Sequence, residues 1–269
     1  MILYSLHNHS TFDDGTASPE AMVRAAIDAG LSAVGISTHS PLPDEDWTTP
    51  VERMSEYRSE MARLQAAYAD QINVYCGLEY DLCSVPNFVG FDYVIASVHA
   101  LDAGGQRWSV DATRATSRRM IATAFDGDSD AAAQEYFRRV AEIADIPAAD
   151  IVGHFDLLTK FDEPDPLYRT DSPAYRAAAL EAMETLVHAG KIFELNTGAV
   201  SRGLRTEFYP APPLLAALRE MGGRLTVSSD AHEPDAIVYG FDAAEALVRK
   251  AGFKELWQFN GRSFTPKHL

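Results

Sequence analysis

A repeated alternation of apolar runs and helical patterns constrains the fold of this chain more than any other feature. Seven short apolar runs have the length and composition of strands, at residues 2–6, 33–37, 72–78, 92–98, 150–153, 192–195 and 224–228. They are continuously apolar, which is typical of parallel strands buried on both faces. Segments with helical spacing lie at 18–30, 51–70, 131–144, 173–190, 212–221 and 242–250. The alternation predicts parallel β/α construction with right-handed crossovers.

Two parts of the chain do not follow this alternation. Residues 101–149 contain a turn at Gly104-Gly105 and a mixed stretch with Arg114, Arg118 and Arg119 before the helix at 131–144. Beyond residue 250 the sequence is typical of a short tail. The length of 269 residues allows one large α/β barrel or two modest domains.

Residues that bind metal ions follow most of the predicted strands. His7 and His9 come after the first strand, and because side chains two residues apart in an extended chain point to the same side, they can bind one cation together. Other such residues at the strand ends, or within reach of one, are Asp14, His39, Glu79, His99, His154, Asp230 and His232. In β/α barrels the chemistry gathers at these carboxyl ends.

The number of these residues favours a metal centre over independent packing. A single histidine at a strand end is more often a hydrogen-bonded, half-buried residue than a ligand, but six of the eight histidines lie at such ends. The other two, His188 and His268, have the character of ordinary surface or packing residues. Nine candidates exceed the three or four ligands that zinc takes, so two or three ions are expected, with Glu79 as the bridging carboxylate. A mixed nitrogen and carboxylate set suits zinc, manganese or iron.

Composition limits the binding partners and the cellular compartment that we expect. A formal net charge of −16 argues against nucleic acid or an acidic membrane surface as the main partner. An anionic substrate would need local positive charge, which metal ions can supply. Cys76 and Cys83 do not suggest a disulfide framework, no window approaches a membrane span, and the start of the sequence lacks the pattern of a signal peptide. We therefore expect a cytoplasmic protein.

Three motifs resemble those of the polymerase-and-histidinol-phosphatase (PHP) superfamily, at residues 7–15, 35–39 and 228–232. Later motifs, at 153–161, 194–198 and 201–206 with Tyr209-Pro210, resemble those of its histidinol-phosphatase branch. The resemblance covers nearly the whole chain, so it implies a single domain over 1–269, with the α/β fold of a distorted seven-stranded (β/α)7 TIM-like barrel. It also implies a hydrolase, a metal-dependent phosphomonoesterase that converts L-histidinol phosphate to L-histidinol and phosphate in histidine biosynthesis.

The resemblance further implies a trinuclear centre of divalent zinc, manganese or iron. Its three ligand sets would be His7, His9, Glu79 and Asp230; Glu79, His99 and His154; and Asp14, His39 and His232. Asp13 is an alternative to its neighbour Asp14, but Gly15 matches the Asp-Gly pair of the family and favours Asp14.

A metal-bridging hydroxide is the expected nucleophile, held by the two ions that share Glu79. Asp230 or His232 could relay a proton to the departing alcohol, although a metal-bound residue is a poor free acid. Arg202 and Arg205 are candidates for bidentate phosphate binding and Lys160 for a third cation, each with a solvated surface position as the alternative. Asn196 is a candidate for orienting a ligand. Acids that could bind the amino group or imidazole of the substrate are Asp81, Asp156 and Asp162.

Three other functions share parts of this pattern. A phosphoesterase acting on another small phosphate ester, a nucleotide or a DNA 3′ end would use the same metal set, but the acidic charge disfavours DNA. A metal-dependent amidohydrolase commonly has a carboxylated lysine at a strand end, and no predicted strand ends in lysine. A non-catalytic metal-binding module attached to a polymerase would need more chain than these 269 residues.

Overall fold

The structure is a computed structural model that describes residues 2–43 and 45–269. Its strands are β1 (Tyr4–Ser5), β2 (Ala33–His39), β3 (Asn73–Asp81), β4 (Tyr93–Ser97), β5 (Ala100–Ala103), β6 (Gln106–Ser109), β7 (Ile151–Val152), β8 (Ile192–Asn196), β9 (Arg224–Ser228), β10 (Glu255–Phe259) and β11 (Phe264–His268). Its α-helices are α1 (Pro19–Asp28), α2 (Met54–Ala67), α3 (Arg114–Ala124), α4 (Ser129–Ala141), α5 (Pro173–His188), α6 (Gly198–Ser201), α7 (Pro212–Glu220) and α8 (Phe241–Lys250).

Seven parallel strands form a nearly closed barrel, which confirms the predicted fold class. The strand order is β1-β2-β3-β4-β7-β8-β9, and every neighbouring pair is parallel. The two outer strands approach each other beyond their ends, where Asn8 and Ala231 form a parallel bridge and the His9 amide donates to the Ala231 carbonyl at 2.8 Å. The barrel therefore closes directly beside the first histidine pair.

The helices begin and end at residues that the sequence marks. The Ser18 side chain accepts from the Ala21 amide at the start of α1, and Pro19 fills its first turn. Gly30 follows with a φ of +75°, a conformation that glycine adopts without steric cost. The helix buries Met22 and Val23 against the sheet. The predicted helix at 51–70 begins with a 3-10 turn, Val51–Arg53, and continues as α2.

Two predictions for irregular segments are wrong. The mixed stretch in 101–149 contains the antiparallel hairpin β5–β6, which turns at Gly104-Gly105, and the helix α3. The short tail is a second antiparallel hairpin, β10–β11. Both hairpins have short strands with many exposed residues, so they lack the apolar runs by which buried strands are recognised.

The hairpin β10–β11 packs across the amino ends of the barrel strands. The Phe259 ring lies 5.0 Å from that of Tyr75 and 6.1 Å from that of Tyr93, and the Arg224 guanidinium lies 4.3 Å from the Trp257 ring. One end of the barrel is thereby covered, and the carboxyl ends of the strands remain for the site. Among the described residues, no helix combines the length and apolar character that crossing a membrane requires.

Candidate metal centre

Glu79, at the carboxyl end of β3, is the centre on which the predicted histidines converge. Its side chain is fully buried. One carboxylate oxygen, Oε2, lies 3.1 Å from His7 Nε2, 3.4 Å from His9 Nε2 and 3.0 Å from His39 Nδ1. The other, Oε1, lies 3.3 Å from His99 Nε2 and 3.0 Å from His154 Nε2. Five histidines from four segments of chain therefore face one carboxylate.

The remaining three candidates lie on the open side of this cluster. Asp230 Oδ1 is 3.7 Å from His7 Nε2 and 3.3 Å from His9 Nε2. Asp14 lies 3.8 Å from His39 Nε2 and 3.3 Å from His232 Nε2. The structure thus brings all nine predicted ligands together. The groups overlap, because His9 also approaches Asp14 and His39 also approaches Glu79 and His99.

Several buried polar atoms of the cluster fit a bound cation. His7 Nε2, His9 Nε2, His39 Nδ1 and Glu79 Oε2 are buried without a hydrogen-bond partner among the described residues. Buried polar atoms in native proteins nearly always have a partner, and leaving one unpaired costs about 1–3 kcal/mol. Imidazole nitrogens and carboxylate oxygens in a mixed set are donors that zinc, manganese and iron accept.

Three further carboxylates hold the histidines in place. His7 Nδ1 lies 2.9 Å from Glu194, His9 Nδ1 lies 2.9 Å from Asp13, and His99 Nδ1 lies 3.1 Å from Asp81. A carboxylate on Nδ1 fixes the proton there and leaves Nε2 free for a metal. Asp13 is thus engaged with His9, whereas Asp14 is the acid beside His39 and His232. Asp81, a candidate for binding the substrate, contacts His99 instead.

The acids of the cluster and burial act on the histidines in opposite directions. Burial lowers the pKa of His9, but the charge and hydrogen bond of Asp13 outweigh it and raise the pKa to about 10. Burial also lowers the pKa of His7, and the charges of Glu194 and Glu79 again leave it well above its ordinary value. For His39, burial prevails and lowers the pKa to about 4. Protons on His7 and His9 would leave when a cation binds.

The turn after β9 places Asp230 with unusual backbone geometry. Asp230 has a φ of +48°, in the left-handed region that non-glycine residues rarely adopt. Gly198, at the start of α6, leaves room for its carboxylate, since a Cβ atom there would lie 2.8 Å from Asp230 Oδ2. Backbone strain of this kind persists where the surrounding structure enforces it, commonly at functional sites.

A cavity of about 300 Å³ opens over the cluster, and we call it the metal cavity. Arg202 lines it, with Nη1 2.7 Å from His232 Nδ1 and Nη2 3.2 Å from Asp230 Oδ2. Lys160 also lines it and pairs with Asp111 at 3.0 Å. The ring of Trp47 covers one side, 4.7 Å from that of His39.

The other predicted substrate-binding residues lie elsewhere. Asn196 donates to Glu194 at 2.8 Å and to Asp230 at 3.3 Å, beneath the ligands. Arg205 does not line the metal cavity; its guanidinium lies 4.6 Å from the Tyr209 ring and contacts Thr159, beside a second cavity. Asp156 and Asp162 also line that second cavity.

Sequence reasoning missed three residues of the site, Glu194, Asp111 and Trp47, and it also missed the orienting role of Asp13. Glu194 had a detectable signal, because an acid inside the apolar run at 192–195 needs a buried partner. Asp111 had none, since it follows a hairpin that the sequence did not reveal. His188 and His268, by contrast, are exposed, as expected of surface residues.

A β/α barrel with such a histidine and carboxylate cluster at its carboxyl-end rim defines the class of barrel hydrolases that use divalent metal ions. The family model described as the PHP domain matches residues 5–198. The chain belongs to the PHP domain family.

Relatives within this family cover almost the whole chain. A protein of Deinococcus radiodurans named "Probable histidinol-phosphatase" is 31% identical over 266 residues, which span 94% of this chain and 92% of the relative. The histidinol-phosphatase of Lactococcus lactis is 27% identical over 271 residues, with 95% and 93% covered. A crystal structure of the histidinol phosphate phosphatase of L. lactis, complexed with zinc, L-histidinol and phosphate, superposes with a TM-score of 0.76 at 25% identity and covers 97% of this chain and 98% of the other.

Proposed function

We propose that this chain is a hydrolase that converts L-histidinol phosphate to L-histidinol and phosphate. The observation that carries the proposal is the cluster of nine metal-binding side chains, seven of which line the metal cavity together with the cations Arg202 and Lys160. A phosphate monoester carries two negative charges, so it needs a site of this kind in a chain with a net charge of −16. The L. lactis structure, which contains zinc, L-histidinol and phosphate, supports this substrate.

We assign three divalent ions to the cluster. The first would be held by His7, His9, Glu79 and Asp230, the second by Glu79, His99 and His154, and the third by Asp14, His39 and His232. Zinc, manganese and iron each suit these donors. Bound divalent ions lower the pKa of water toward neutrality and neutralise phosphoryl oxygens, which is the chemistry that monoester hydrolysis requires.

The side chains of the protein supply position and charge. Glu79 faces two groups of histidines with its two oxygens, so it can bridge two ions and fix their separation. Arg202 can present two parallel N–H donors to the phosphate, and Lys160 adds a point charge on the same cavity. Asp230 and His232 line the cavity next to Arg202, where either could hold a proton for the leaving alcohol.

Phosphate release from L-histidinol phosphate tests the proposal directly. We expect hydrolysis of this ester to exceed that of a nucleoside monophosphate, serine phosphate and p-nitrophenyl phosphate, and we expect more than one metal ion per chain in elemental analysis. A preference for a nucleotide or another small ester would favour the alternative substrate class. A metal-free protein with full activity would refute the mechanism.

Two histidine variants test whether activity depends on the metal centre specifically. His39→Ala removes a candidate ligand and should abolish turnover while the fold remains. His188→Ala changes an exposed histidine at the end of α5 and should leave turnover unchanged. Glu79→Gln should also abolish turnover and should lower metal content more than His39→Ala, since Glu79 serves two ions.

A further inference from the structure

A second cavity, of about 460 Å³, lies beside the metal cavity. Asp156, Asp162 and Arg205 line it, and none of the nine candidate metal ligands does. The two cavities share a wall, because the segment 156–160 and the segment 202–205 each contribute residues to both. The volume of the second cavity lies within the range of about 300–1,000 Å³ that is typical of small-molecule sites.

Three polar atoms of the second cavity are buried without a hydrogen-bond partner among the described residues: Asp156 Oδ1, Asp162 Oδ2 and Arg205 Nε. The exposed fractions of these residues are 1%, 8% and 9%. The second oxygen of each acid is used, since Asp156 accepts from the Ala211 amide at 3.1 Å and Asp162 from the Leu167 amide at 3.0 Å. Each carboxylate therefore keeps one acceptor for another donor.

The charges around the second cavity favour a positively charged hydrogen-bond donor. Five acids line it against two arginines, with Glu163, Asp171 and Glu207 completing the acidic set. Burial raises the pKa of Asp162 to about 6, because its backbone hydrogen bonds and the nearby arginines compensate only part of the lost hydration. These carboxylates would repel an anion, whereas they would attract a cation, whose charge would offset theirs.

Part of the wall of the second cavity is apolar. Leu180 of α5 and Leu214 and Ala217 of α7 supply it. A metal ion would leave this wall unused, and a purely apolar ligand would leave both carboxylates unpaired. The wall fits the hydrocarbon part of an organic cation.

We propose that the second cavity binds a small organic ammonium ion. Its N–H groups donate to Asp156 Oδ1 and Asp162 Oδ2, and its apolar part packs on Leu180, Leu214 and Ala217. The site is distinct from the metal cavity, and its binding of an ammonium ion can be tested whether or not the proposed function holds. The occupant lies close to the centre, because Arg205 stacks on Tyr209, whose ring is 6.4 Å from that of His154.

Calorimetric titration of the metal-loaded full chain with 2-phenylethylammonium tests the proposal. Saturating inorganic phosphate is present throughout to occupy the metal cavity. We expect one binding site, with the neutral isostere 2-phenylethanol weaker by about tenfold or more. L-Histidinol is titrated as a competitor: displacement of the probe assigns the site to the amine of the reaction product, and no displacement assigns it to a separate amine.

Variants locate the binding. Asp162→Asn removes one carboxylate and should weaken the ammonium by about tenfold or more, while Asp70→Asn, at an exposed acid after α2, should not. Ala217→Phe fills the apolar end at a half-buried position and should abolish binding with both carboxylates in place. Equal affinity for the ammonium and the alcohol, a dissociation constant above about 10 mM, or binding that neither variant alters would overturn the proposal.

Discussion

Replacing Glu194 by glutamine tests whether the buried carboxylates behind the histidines hold the metal centre together. Four donors point at this carboxylate: His7 Nδ1 at 2.9 Å, the His154 amide at 2.7 Å, Asn196 Nδ2 at 2.8 Å and the Ser228 hydroxyl. Burial by itself would raise the pKa of Glu194, but the charge and hydrogen bond of His7 hold it below its ordinary value. Glutamine has the same shape but only one oxygen to accept with.

The expected loss of metal affinity follows from which ring nitrogen of His7 carries the proton. If the glutamine oxygen keeps the His154 and Asn196 donors, its NH₂ group faces His7 Nδ1, and two N–H groups cannot point at each other. His7 then accepts at Nδ1 and carries its proton on Nε2, the nitrogen that faces Glu79 and Asp230. Loss of such an orienting partner typically costs about 10–100-fold in metal affinity. This corresponds to about 1.4–2.8 kcal/mol.

Competition with a chromophoric chelator for Zn²⁺, starting from metal-free protein, measures this loss. Glu184→Gln makes the same substitution at an exposed position on α5 and serves as the matched control. We expect the zinc affinity of the weakest site to be about 10–100-fold lower in Glu194→Gln than in the parent protein. The zinc affinities of Glu184→Gln should match those of the parent protein. Zinc affinities of Glu194→Gln within about twofold of the parent would refute the reasoning.

Two further substitutions probe substrate binding and pH dependence. Arg202→Ala should raise KM for L-histidinol phosphate by about tenfold or more without lowering metal content, and unchanged steady-state kinetics would remove Arg202 from substrate binding. Burial raises the pKa of Asp162 from 3.8 to about 6, so the stability it contributes is complete below about pH 4 and is lost as the pH rises through about 6. Asp162→Asn should remove about 3 kcal/mol of this decline in urea unfolding, and an unaltered pH profile would contradict the assignment.

The strands and their terminal residues could be predicted because they follow from short-range sequence patterns. Parallel β/α repeats place every carboxyl strand end on one rim, so a histidine after a strand is located without knowledge of its neighbours. His39 and His99, 60 positions apart in sequence, are therefore expected on the same rim, and their rings lie 5.3 Å apart.

The orienting carboxylates and the division between the cavities could not be predicted in the same way. Glu194 reaches His7 across 187 positions of sequence, and that pairing depends on β8 and β1 approaching through the closed barrel. Arg202 and Arg205 lie three residues apart on one loop, yet the turn after α6 sends them into different cavities. Only the path of the backbone decides which arginine meets the metal centre.

The contact between Arg202 and His232 makes metal binding and the position of Arg202 mutually dependent. A guanidinium N–H can only donate, so at 2.7 Å it requires His232 Nδ1 as acceptor and places the ring proton on Nε2, which faces Asp14. A His232 that gives Nε2 to a cation must carry its proton on Nδ1, where the Asp230 carbonyl lies 3.0 Å away and can accept it. Cation binding should therefore displace Arg202 from His232 and free it for phosphate.

The NMR chemical shifts of the His232 ring nitrogens, measured in metal-free protein, test whether Arg202 sets the position of the ring proton. We expect the Nε2–H form in the parent protein and the Nδ1–H form in Arg202→Ala, because removal of the guanidinium leaves the Asp230 carbonyl as the partner of Nδ1. The same form in both proteins would show that Arg202 does not set the proton position. Phosphate binding by Arg202 would then be independent of the third ion.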